Sequence, residues 1–381
     1  MDTKHAHSRR RFLTRTLGMA TALGAAQSFL VSRALAAYSF TTAGRKYPAQ
    51  LKMASQVAAS TPGYVWEYTD LVKRKLGIGA EWKTYLAGAQ QMQAFAIGQW
   101  EIGYVGVPPL ITGVSQGMKA RAVAVGQSQG SNVVGRKDKG FKTMEELGGD
   151  HRKAWTQFRG KTIGLPPRAS IQDAITRTAL SDAGLTDRDV DLRNYDAVPS
   201  LPDLLAQGQI DAFVGWPPFD VVAISKGAGT IVVPGDRFGT GEWRDYPMNC
   251  LVASEQLIQE YPDVVQDCVF IHTQVNQFLM AYPEEAAKMI AAILKMDEKS
   301  ALEGYRLTPN YCPDLTEGTI KSCMRFVKTL AEAKYIQRAP TEAELFDTRF
   351  IRSVLPSGPC TARVSSSPKS PQLHEFVTGK A

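Results

Sequence analysis

Short apolar runs alternate with amphipathic segments in this chain, and the alternation occurs in two successive blocks. The first block predicts helices over residues 64–76 and 89–97, and the second predicts one after Ser170 and one over residues 201–207. The predicted strands are residues 51–57, 81–85, 102–105, 120–125, 162–165, 190–195, 212–214, 230–233 and 251–253. A strand–helix–strand order favours parallel sheets with helices on their faces. The two blocks therefore predict an α/β protein with two similar lobes, which suits a length of 381 residues.

The chain after the second block is predicted to be helical and then loose. Apolar residues keep a helical spacing from about residue 254 to residue 339. Residues 353–381 are rich in Ser, Pro and Lys, a composition that favours a flexible C-terminal tail.

Residues 1–36 match a twin-arginine signal peptide. The string Ser8-Arg9-Arg10-Arg11-Phe12-Leu13 precedes a mildly apolar stretch, and small residues lie before Ala37. We therefore expect export to the periplasm by the twin-arginine pathway. The alternative is an uncleaved membrane anchor, for which the apolar stretch is short.

The basic charge of the chain is concentrated in that leader. Residues 1–36 hold six basic residues and one acidic residue, so the totals of 44 and 37 fall to 38 and 36 in the remainder. A net charge of +2 there gives no sign of a nucleic-acid-binding surface.

Five cysteines occur, and none forms a C-x-x-C pair. An odd number leaves at least one cysteine unpaired within the chain. The spacing of Cys312 and Cys323 allows a disulfide in an oxidising compartment, and two buried thiols are the equal alternative.

Enzyme signatures fail when they are examined in context. Residues 113–117 fit G-x-S-x-G as a string, but a predicted helix precedes them and a strand follows, which inverts the nucleophile elbow. The five histidines are isolated or lie near the termini, and H-E-x-x-H is absent. We expect no catalytic residues, no metal site and no cofactor, and this pattern favours binding over catalysis.

Three segments resemble a family of transport proteins. Residues 98–109, residues 161–170 and residues 208–219, the last with Trp216-Pro217-Pro218-Phe219, are similar to segments of solute-binding proteins of nitrate, sulfonate and taurine ABC importers. The resemblance covers residues 51–294. It implies the type II periplasmic binding protein fold, in which two α/β lobes are joined by a two-strand hinge and close on the ligand.

The resemblance also implies domain limits and partners. Lobe one would span residues 48–128 plus 255–345, and lobe two residues 129–254, with crossings over residues 127–135 and 249–253. The protein would be a monomer that passes a small, anionic solute to an ABC permease in the inner membrane.

Ligands of open α/β sheets bind beyond the carboxyl ends of the strands, and this rule selects candidate site residues. In lobe one they are Thr61, Gly63, Tyr64, Gln90, Gly106 and Gln127. Thr61 serves equally well as an ordinary helix cap. In lobe two they are Arg168, Ala169, Ser170 and Trp216, and Asn249 is a further candidate because it lies just before a predicted crossing strand.

Arg168 beside the free amides of a helix start favours an oxyanion, whereas its alternative is a solvated surface side chain. Trp216 would form an apolar wall or stack on a planar solute, or else pack at the hinge. These residues favour a sulfonate- or taurine-like anion, and a pyrimidine precursor of thiamine fits the aromatic residues equally well. An enzyme or a sensor on the same fold stays an alternative; an enzyme would need Glu67, Asp220 or Asp245 in the cleft.

Overall fold

The structure is a computed structural model that describes residues 35, 37–41, 47, 50–307, 310–355 and 369–380. The predicted signal peptide lies outside the described residues except for Leu35, and Cys360 also lies outside them. Within the described ranges, no helix has both the length and the apolar character that a membrane crossing requires.

The described strands form two five-stranded sheets. They are β1 (Gln50–Gln56), β2 (Gly79–Tyr85), β3 (Ile102–Gly106), β4 (Ala120–Ser128), β5 (Asn132–Arg136), β6 (Thr162–Leu165), β7 (Asp191–Asn194), β8 (Ala212–Gly215), β9 (Gly229–Val233) and β10 (Pro247–Ser254). The first sheet has the order β2-β1-β3-β10-β4, and the second has the order β7-β6-β8-β5-β9. Two sheets of mixed direction confirm the α/β class and the two-block pattern of the sequence.

Helices surround both sheets. They are α1 (Gly63–Thr69), α2 (Leu71–Leu76), α3 (Gly88–Ala96), α4 (Val107–Ser115), α5 (His151–Thr156), α6 (Ile171–Asp182), α7 (Leu201–Ala206), α8 (Phe219–Ser225), α9 (Glu255–Glu260), α10 (Pro262–Ala281), α11 (Pro283–Leu294), α12 (Glu298–Arg306), α13 (Glu317–Glu332), α14 (Glu342–Leu345), α15 (Arg349–Val354) and α16 (Pro371–Thr378).

The predicted helix over residues 64–76 is divided into α1 and α2. Asp70 lies between them with φ 50° and ψ 40°, the left-handed conformation, which ends one helix and begins the next. Aspartate tolerates this conformation better than most residues do, and the apolar spacing alone does not reveal the break.

Two connections join the sheets, and one of them differs from the prediction. Residues 129–131 lead from β4 to β5, inside the predicted crossing at 127–135. The second connection is residues 234–246, between β9 and β10. The predicted crossing at 249–253 is wrong, because β10 pairs with β3 and β4 along its length. Residues 247–254 therefore belong to the first sheet.

The C-terminal segment is more ordered than its composition predicts. Helix α16 buries Leu373 and Val377 against the first lobe. The Lys75 ammonium lies 4.2 Å from the centroid of the Phe376 ring. The prediction of a loose tail is wrong for residues 371–378, because a short run with one apolar face is enough to dock a helix.

The cysteines do not form the proposed disulfide. Cys323 is a buried free thiol on α13, so it is not bonded to Cys312. Burial raises the pKa of Cys323, and the core keeps it protonated.

Candidate ligand-binding cavity

A cavity of about 210 Å³ lies between the two sheets. Drug-sized ligands occupy pockets of roughly 300–1,000 Å³, so this cavity suits a small solute. Its walls come from the ends of β3, β4 and β10 in the first lobe and from residues 166–172 and Trp216 in the second. The cavity thus lies at the carboxyl ends of strands from both lobes, next to the amino end of the antiparallel strand β10.

Three residues side by side form the floor of the cavity. Gly106 of β3 pairs with Asn249 of β10, and Asn249 pairs with Gln127 of β4. All three line the cavity. Gly106 has no side chain, so the floor consists of the two carboxamides of Asn249 and Gln127.

The second lobe contributes a strand-to-helix loop. Ser170 caps α6, since its Oγ accepts a hydrogen bond from the Asp173 amide at 3.2 Å. The amides of Ile171 and Gln172 lie in the first helical turn, where no intrahelical carbonyl accepts from them. Ala169 has φ 60°, so the chain bends sharply before the helix. Arg168 lines the cavity at this bend and is exposed.

Trp216 forms a wall and also joins the lobes. Its Nε1 donates to the Val57 carbonyl at 2.8 Å, and its ring meets Phe219 edge-on with centroids 5.2 Å apart. Beside it, the Ala59 amide donates to the Pro217 carbonyl at 2.9 Å. The lobes therefore touch along this side of the cavity.

Most of the lining is apolar. The larger apolar side chains are Leu86, Met92, Pro109, Met118, Pro166, Pro167, Ile171, Val198, Trp216 and Met248. Arg168 is the one ionisable side chain among the described lining residues. The cavity can therefore enclose a small molecule with an apolar body, and it offers positive charge at one place.

Seven of the eleven residues selected from the sequence line this cavity: Gly106, Gln127, Arg168, Ala169, Ser170, Trp216 and Asn249. Their contact with a ligand stays a prediction. Thr61, Gly63, Tyr64 and Gln90 are not among the lining residues.

Those four residues lie outside the lining of the cavity. The Tyr64 hydroxyl donates to the Gln56 carbonyl at 2.7 Å, and burial raises its pKa. A Cβ on Gly63 would lie 2.4 Å from the Ser55 Oγ, so that glycine allows close packing inside the lobe. Thr61 is buried, and Gln90 is exposed. All four follow strand ends in sequence, but none of them lines the cavity.

Sequence analysis missed several lining residues, among them Gln56, Met92, Pro109 and Met248. Gly88, three residues after β2, also lines the cavity and allows a close approach there. A Cβ on Gly88 would lie 2.4 Å from the Pro109 Cγ. The sequence gives no signal for the apolar lining residues, because a methionine that lines a cavity cannot be distinguished in sequence from one that packs in a core.

No metal site is evident in the described ranges, where no group of three or more His, Cys, Asp or Glu side chains could hold an ion.

Sequence comparison relates the chain to binding proteins. The model of the NMT1-like family matches residues 47–295. A protein of Brucella abortus (strain 2308), provisionally named as a binding protein, is 28% identical over 306 residues. The match covers 77% of this chain and 85% of that protein. The taurine-binding periplasmic protein of Escherichia coli (strain K12) is 22% identical over 244 residues, 64% of this chain and 71% of that protein.

Structural comparison identifies the fold. The alkanesulfonate-binding protein SsuA from Xanthomonas axonopodis pv. citri, bound to MOPS, matches with a TM-score of 0.66 and 17% identity, over 79% of this chain and 99% of that one. The desulfurization enzyme DSZB, solved as a mutant in complex with biphenyl-2-sulfinic acid, matches with a TM-score of 0.58 and 14% identity, over 81% and 99%. The fold is therefore that of two-lobed periplasmic binding proteins, and an enzyme shares it.

Proposed function

This chain belongs to the NMT1-like family, and we propose from that premise that it is a periplasmic receptor that delivers a small organic anion to an ABC importer. The observation that carries the proposal is the largely apolar cavity between the lobes, whose one ionisable lining side chain, among the described residues, is Arg168. Binding would occur as the lobes close, and the chain would act as a monomer after export by the twin-arginine pathway.

The anion would bind at the second-lobe end of the cavity. Arg168 and the first-turn amides of α6 lie there together, and the positive end of a twelve-residue helix adds to their attraction for an oxyanion. No carboxylate lines the cavity in the described part of the chain, so an ammonium group would have no charged partner. We therefore favour a sulfonate or carboxylate without an amine over taurine itself.

The lobe limits follow the sheets. We propose lobe one as residues 48–128 plus 247–345 and lobe two as residues 129–246, which moves β10 from the second lobe to the first. The hinge is then the pair of connections at residues 129–131 and 234–246.

A pyrimidine receptor is the second candidate, and the two carboxamides of the floor favour it, because they can bind the edge of a nitrogen ring. An enzyme on this fold is the third. Glu67, Asp220 and Asp245 are not among the described lining residues, and Asp220 is buried beneath Asn132. A receptor without chemistry of its own is the function that this lining supports.

A thermal-shift panel tests the proposal. It should contain alkyl and aryl sulfonates, taurine, nitrate, carboxylates and thiamine precursors. A ligand at 100 times its Kd adds about 2.7 kcal/mol of stability, which shifts the Tm measurably. Stabilisation by sulfonates or carboxylates supports the anion receptor. Stabilisation by pyrimidines alone would favour the second candidate, and turnover of any compound would favour an enzyme.

Arg168→Ala gives the residue-level prediction for this function. Because Arg168 is exposed, we expect it to contribute about 1 kcal/mol, so that the variant binds an anionic ligand about fivefold more weakly by calorimetry. The loss should shrink at high salt. Arg188→Ala, which removes an exposed arginine away from the cavity, should leave the affinity unchanged. Equal affinity of both variants would remove Arg168 from the site.

A further inference from the structure

The loop at the second-lobe end of the cavity has a strained bend. Residues 166–170, the cavity loop, all line the cavity. Ala169 within it has φ 60°, a left-handed conformation that costs free energy for a residue with a side chain. The Ala169 amide donates to Asp173 Oδ2 at 3.2 Å, and the Ser170 amide donates to the Pro167 carbonyl at 3.1 Å. A bend of this kind persists where neighbouring groups hold it.

Asp173 is the side chain that holds this bend. It is fully buried, and a buried charge is stable only where it is paired and hydrogen-bonded. Asp173 Oδ1 accepts from Arg177 Nε at 3.1 Å and from Asn194 Nδ2 at 3.2 Å, and the other oxygen accepts from the cavity loop at Ala169. Asn194 Nδ2 also donates to the Pro166 carbonyl at 2.7 Å. One carboxylate therefore ties the start of α6 and the end of β7 to the cavity loop.

A tyrosine that follows α13 lies beside the same carboxylate. The Arg177 guanidinium lies 5.7 Å from the centroid of the Tyr335 ring. Burial raises the pKa of Tyr335, and the charge of the Asp173 carboxylate raises it further. The charges of Arg177 and Arg168 lower the pKa of the same hydroxyl. Tyr335 therefore lies beside the ion pair of Arg177 and Asp173 that holds the cavity loop.

The turn after α13 places Tyr335 there. The Lys334 amide donates to the Ala331 carbonyl at 3.0 Å, and the Tyr335 amide donates to the Leu330 carbonyl at 2.9 Å. With Lys334 at φ 59°, these two bonds form the Schellman motif that ends many helices. Helix α13 belongs to the proposed lobe one and α6 to lobe two. Tyr335 thus meets the first two turns of α6 across the contact between the lobes, next to residues that line the cavity.

We propose that Asp173 is a positioning residue for the cavity loop and that Tyr335 couples the shape of this loop to the contact between the lobes. When the lobes separate, the Tyr335 ring moves away from Arg177, and the ion pair of Arg177 with Asp173 loses that support. The Ala169 amide then has a less fixed acceptor, and the loop can relax from its bend. Loop shape and lobe contact therefore favour each other, since coupling between two sites is reciprocal.

The binding of an anion at this loop, by Arg168 and the first-turn amides of α6, rests on the proposed function. The role of Asp173 does not rest on it, because that role follows from hydrogen bonds within the protein. A ligand of any charge that touches the cavity loop would gain affinity from contacts that keep the loop in shape before binding.

Amide hydrogen exchange of the full chain without ligand tests the positioning. In Asp173→Asn the carboxamide oxygen should turn toward the two donors Arg177 and Asn194, which leaves an NH₂ group facing the Ala169 amide. Exchange at Ala169 should then become about tenfold faster, the scale of one lost hydrogen bond to a charged group. Asp187→Asn is the matched control, because Asp187 is exposed and also pairs with Arg177, and it should leave exchange at Ala169 unchanged.

Variants of Tyr335 test the coupling. Tyr335→Leu removes the ring contact with Arg177 and should make exchange at Ala169 about threefold faster, the scale of a cation–π contact near the surface. Tyr335→Phe keeps the ring and should keep most of the protection. Tyr68→Leu replaces an exposed tyrosine on α1 and should leave the cavity loop unchanged. Exchange within α10, in the core of the first lobe, should stay the same in all three variants.

Three outcomes would contradict the proposal. Wild-type exchange at Ala169 in the folded Asp173→Asn variant would overturn the positioning role. If that variant does not fold, Asn194→Ala takes its place with the same expected increase, because it removes the link between the Pro166 carbonyl and Asp173. Faster exchange in Asp173→Asn but not in Tyr335→Leu would overturn the coupling. An increase that extends equally through α10 would show a general loss of stability in place of a local role.

Calorimetry with butane-1-sulfonate separates this proposal from the proposed function. Tyr335 is not among the described lining residues, so Tyr335→Leu should raise the Kd about threefold through the loop alone. An unchanged Kd beside faster loop exchange would contradict the coupling. Faster loop exchange in Asp173→Asn, together with no binding of butane-1-sulfonate or any other anion of the thermal-shift panel by the wild type, would keep the positioning by Asp173 and overturn the anion receptor.

Discussion

Burial shifts the pKa values of two core residues in opposite directions. His272 of α10 lies with its Nδ1 2.9 Å from the Tyr104 hydroxyl, and burial lowers its pKa to about 4. Asp220 accepts a hydrogen bond from Asn132 Nδ2 at 2.7 Å, and burial raises its pKa to about 7. In both cases the core disfavours the charged form.

His272 should make the protein sensitive to mild acid. The unfolded chain binds a proton at this residue below pH 6.5, whereas the folded chain does so only near pH 4. Its contribution to stability is therefore complete above pH 6.5 and is lost as the pH falls to 4, a loss of about 3 kcal/mol. Urea unfolding at pH 7 and at pH 4.5 should show that His272→Gln loses less stability over this interval than the wild type does.

Asp220 provides a control, because its contribution to stability has the opposite pH dependence to that of His272. Its raised pKa gives a contribution that is complete below pH 3.8 and is lost as the pH rises through 7. In Asp220→Asn the free energy of unfolding should therefore fall more steeply, not less steeply, as the pH is lowered. The same pH slope in wild type and His272→Gln would show that His272 does not titrate as the burial argument requires.

Single residues show how far the sequence predicted the site. Arg168, Trp216 and Gln127 were found because they lie at the carboxyl ends of strands, where chain direction alone places them near the cavity. Tyr64 also follows the end of a strand, but it does not line the cavity, because its side chain turns back to the Gln56 carbonyl. The direction of a loop side chain depends on its neighbours in space, which the local pattern does not contain.

Among elements, the hinge depends on one close backbone approach. A Cβ on Gly235 would lie 1.8 Å from the Gln129 carbonyl oxygen and 2.9 Å from that of Ser131. The Gly235 amide also donates to Asn132 Oδ1 at 3.0 Å. Both connections between the sheets therefore touch at this glycine, and neither can move without affecting the other.

Gly235→Ala should destabilise the protein because the atoms that meet the new methyl group are backbone atoms with little freedom to shift. We expect a loss of about 1–3 kcal/mol, typical of overpacking, in urea unfolding. Gly318→Ala is the matched control, since its Cβ would find no atom closer than 3.8 Å and alanine favours a helix. A Gly235→Ala variant as stable as the control would mean that the hinge backbone shifts to accommodate the methyl group.

The elements themselves were predictable where local pattern and burial agree. Strand β6 coincides with the predicted residues 162–165, because it is a short apolar run bounded by turn residues. Strand β10 extends beyond the predicted residues 251–253 to include Met248 and Asn249, and its place between β3 and β4 was missed. A returning strand has the same local sequence whichever sheet it joins, so its partners could not be inferred.

At the scale of the whole molecule, the two lobes touch on two sides of the cavity. The Trp216 and Pro217 contacts with Val57 and Ala59 form one side. On the other side, α6 meets α13, where the Thr178 and Thr329 hydroxyls lie 3.0 Å apart and Arg325 lies 3.5 Å from Asp182. The two lobes therefore contact each other at both places, and helix α6 runs between the second contact and the cavity, which is lined by residues of its first turn.

Thr329→Val should weaken ligand binding although the residue does not line the cavity. Thr178 Oγ1 donates to the Ala174 carbonyl at 2.9 Å, so Thr329 is the donor between the lobes. Because this bond joins the two lobes, we expect it to break when they separate, and its loss of about 1 kcal/mol should raise the Kd of any ligand about fivefold by reducing the closed population. Calorimetry measures the affinity, and small-angle scattering should show a larger radius of gyration. Thr69→Val removes a comparable hydroxyl within α1 and should change neither quantity. An unchanged Kd for Thr329→Val would mean that the lobes close through the Trp216 side and the ligand alone.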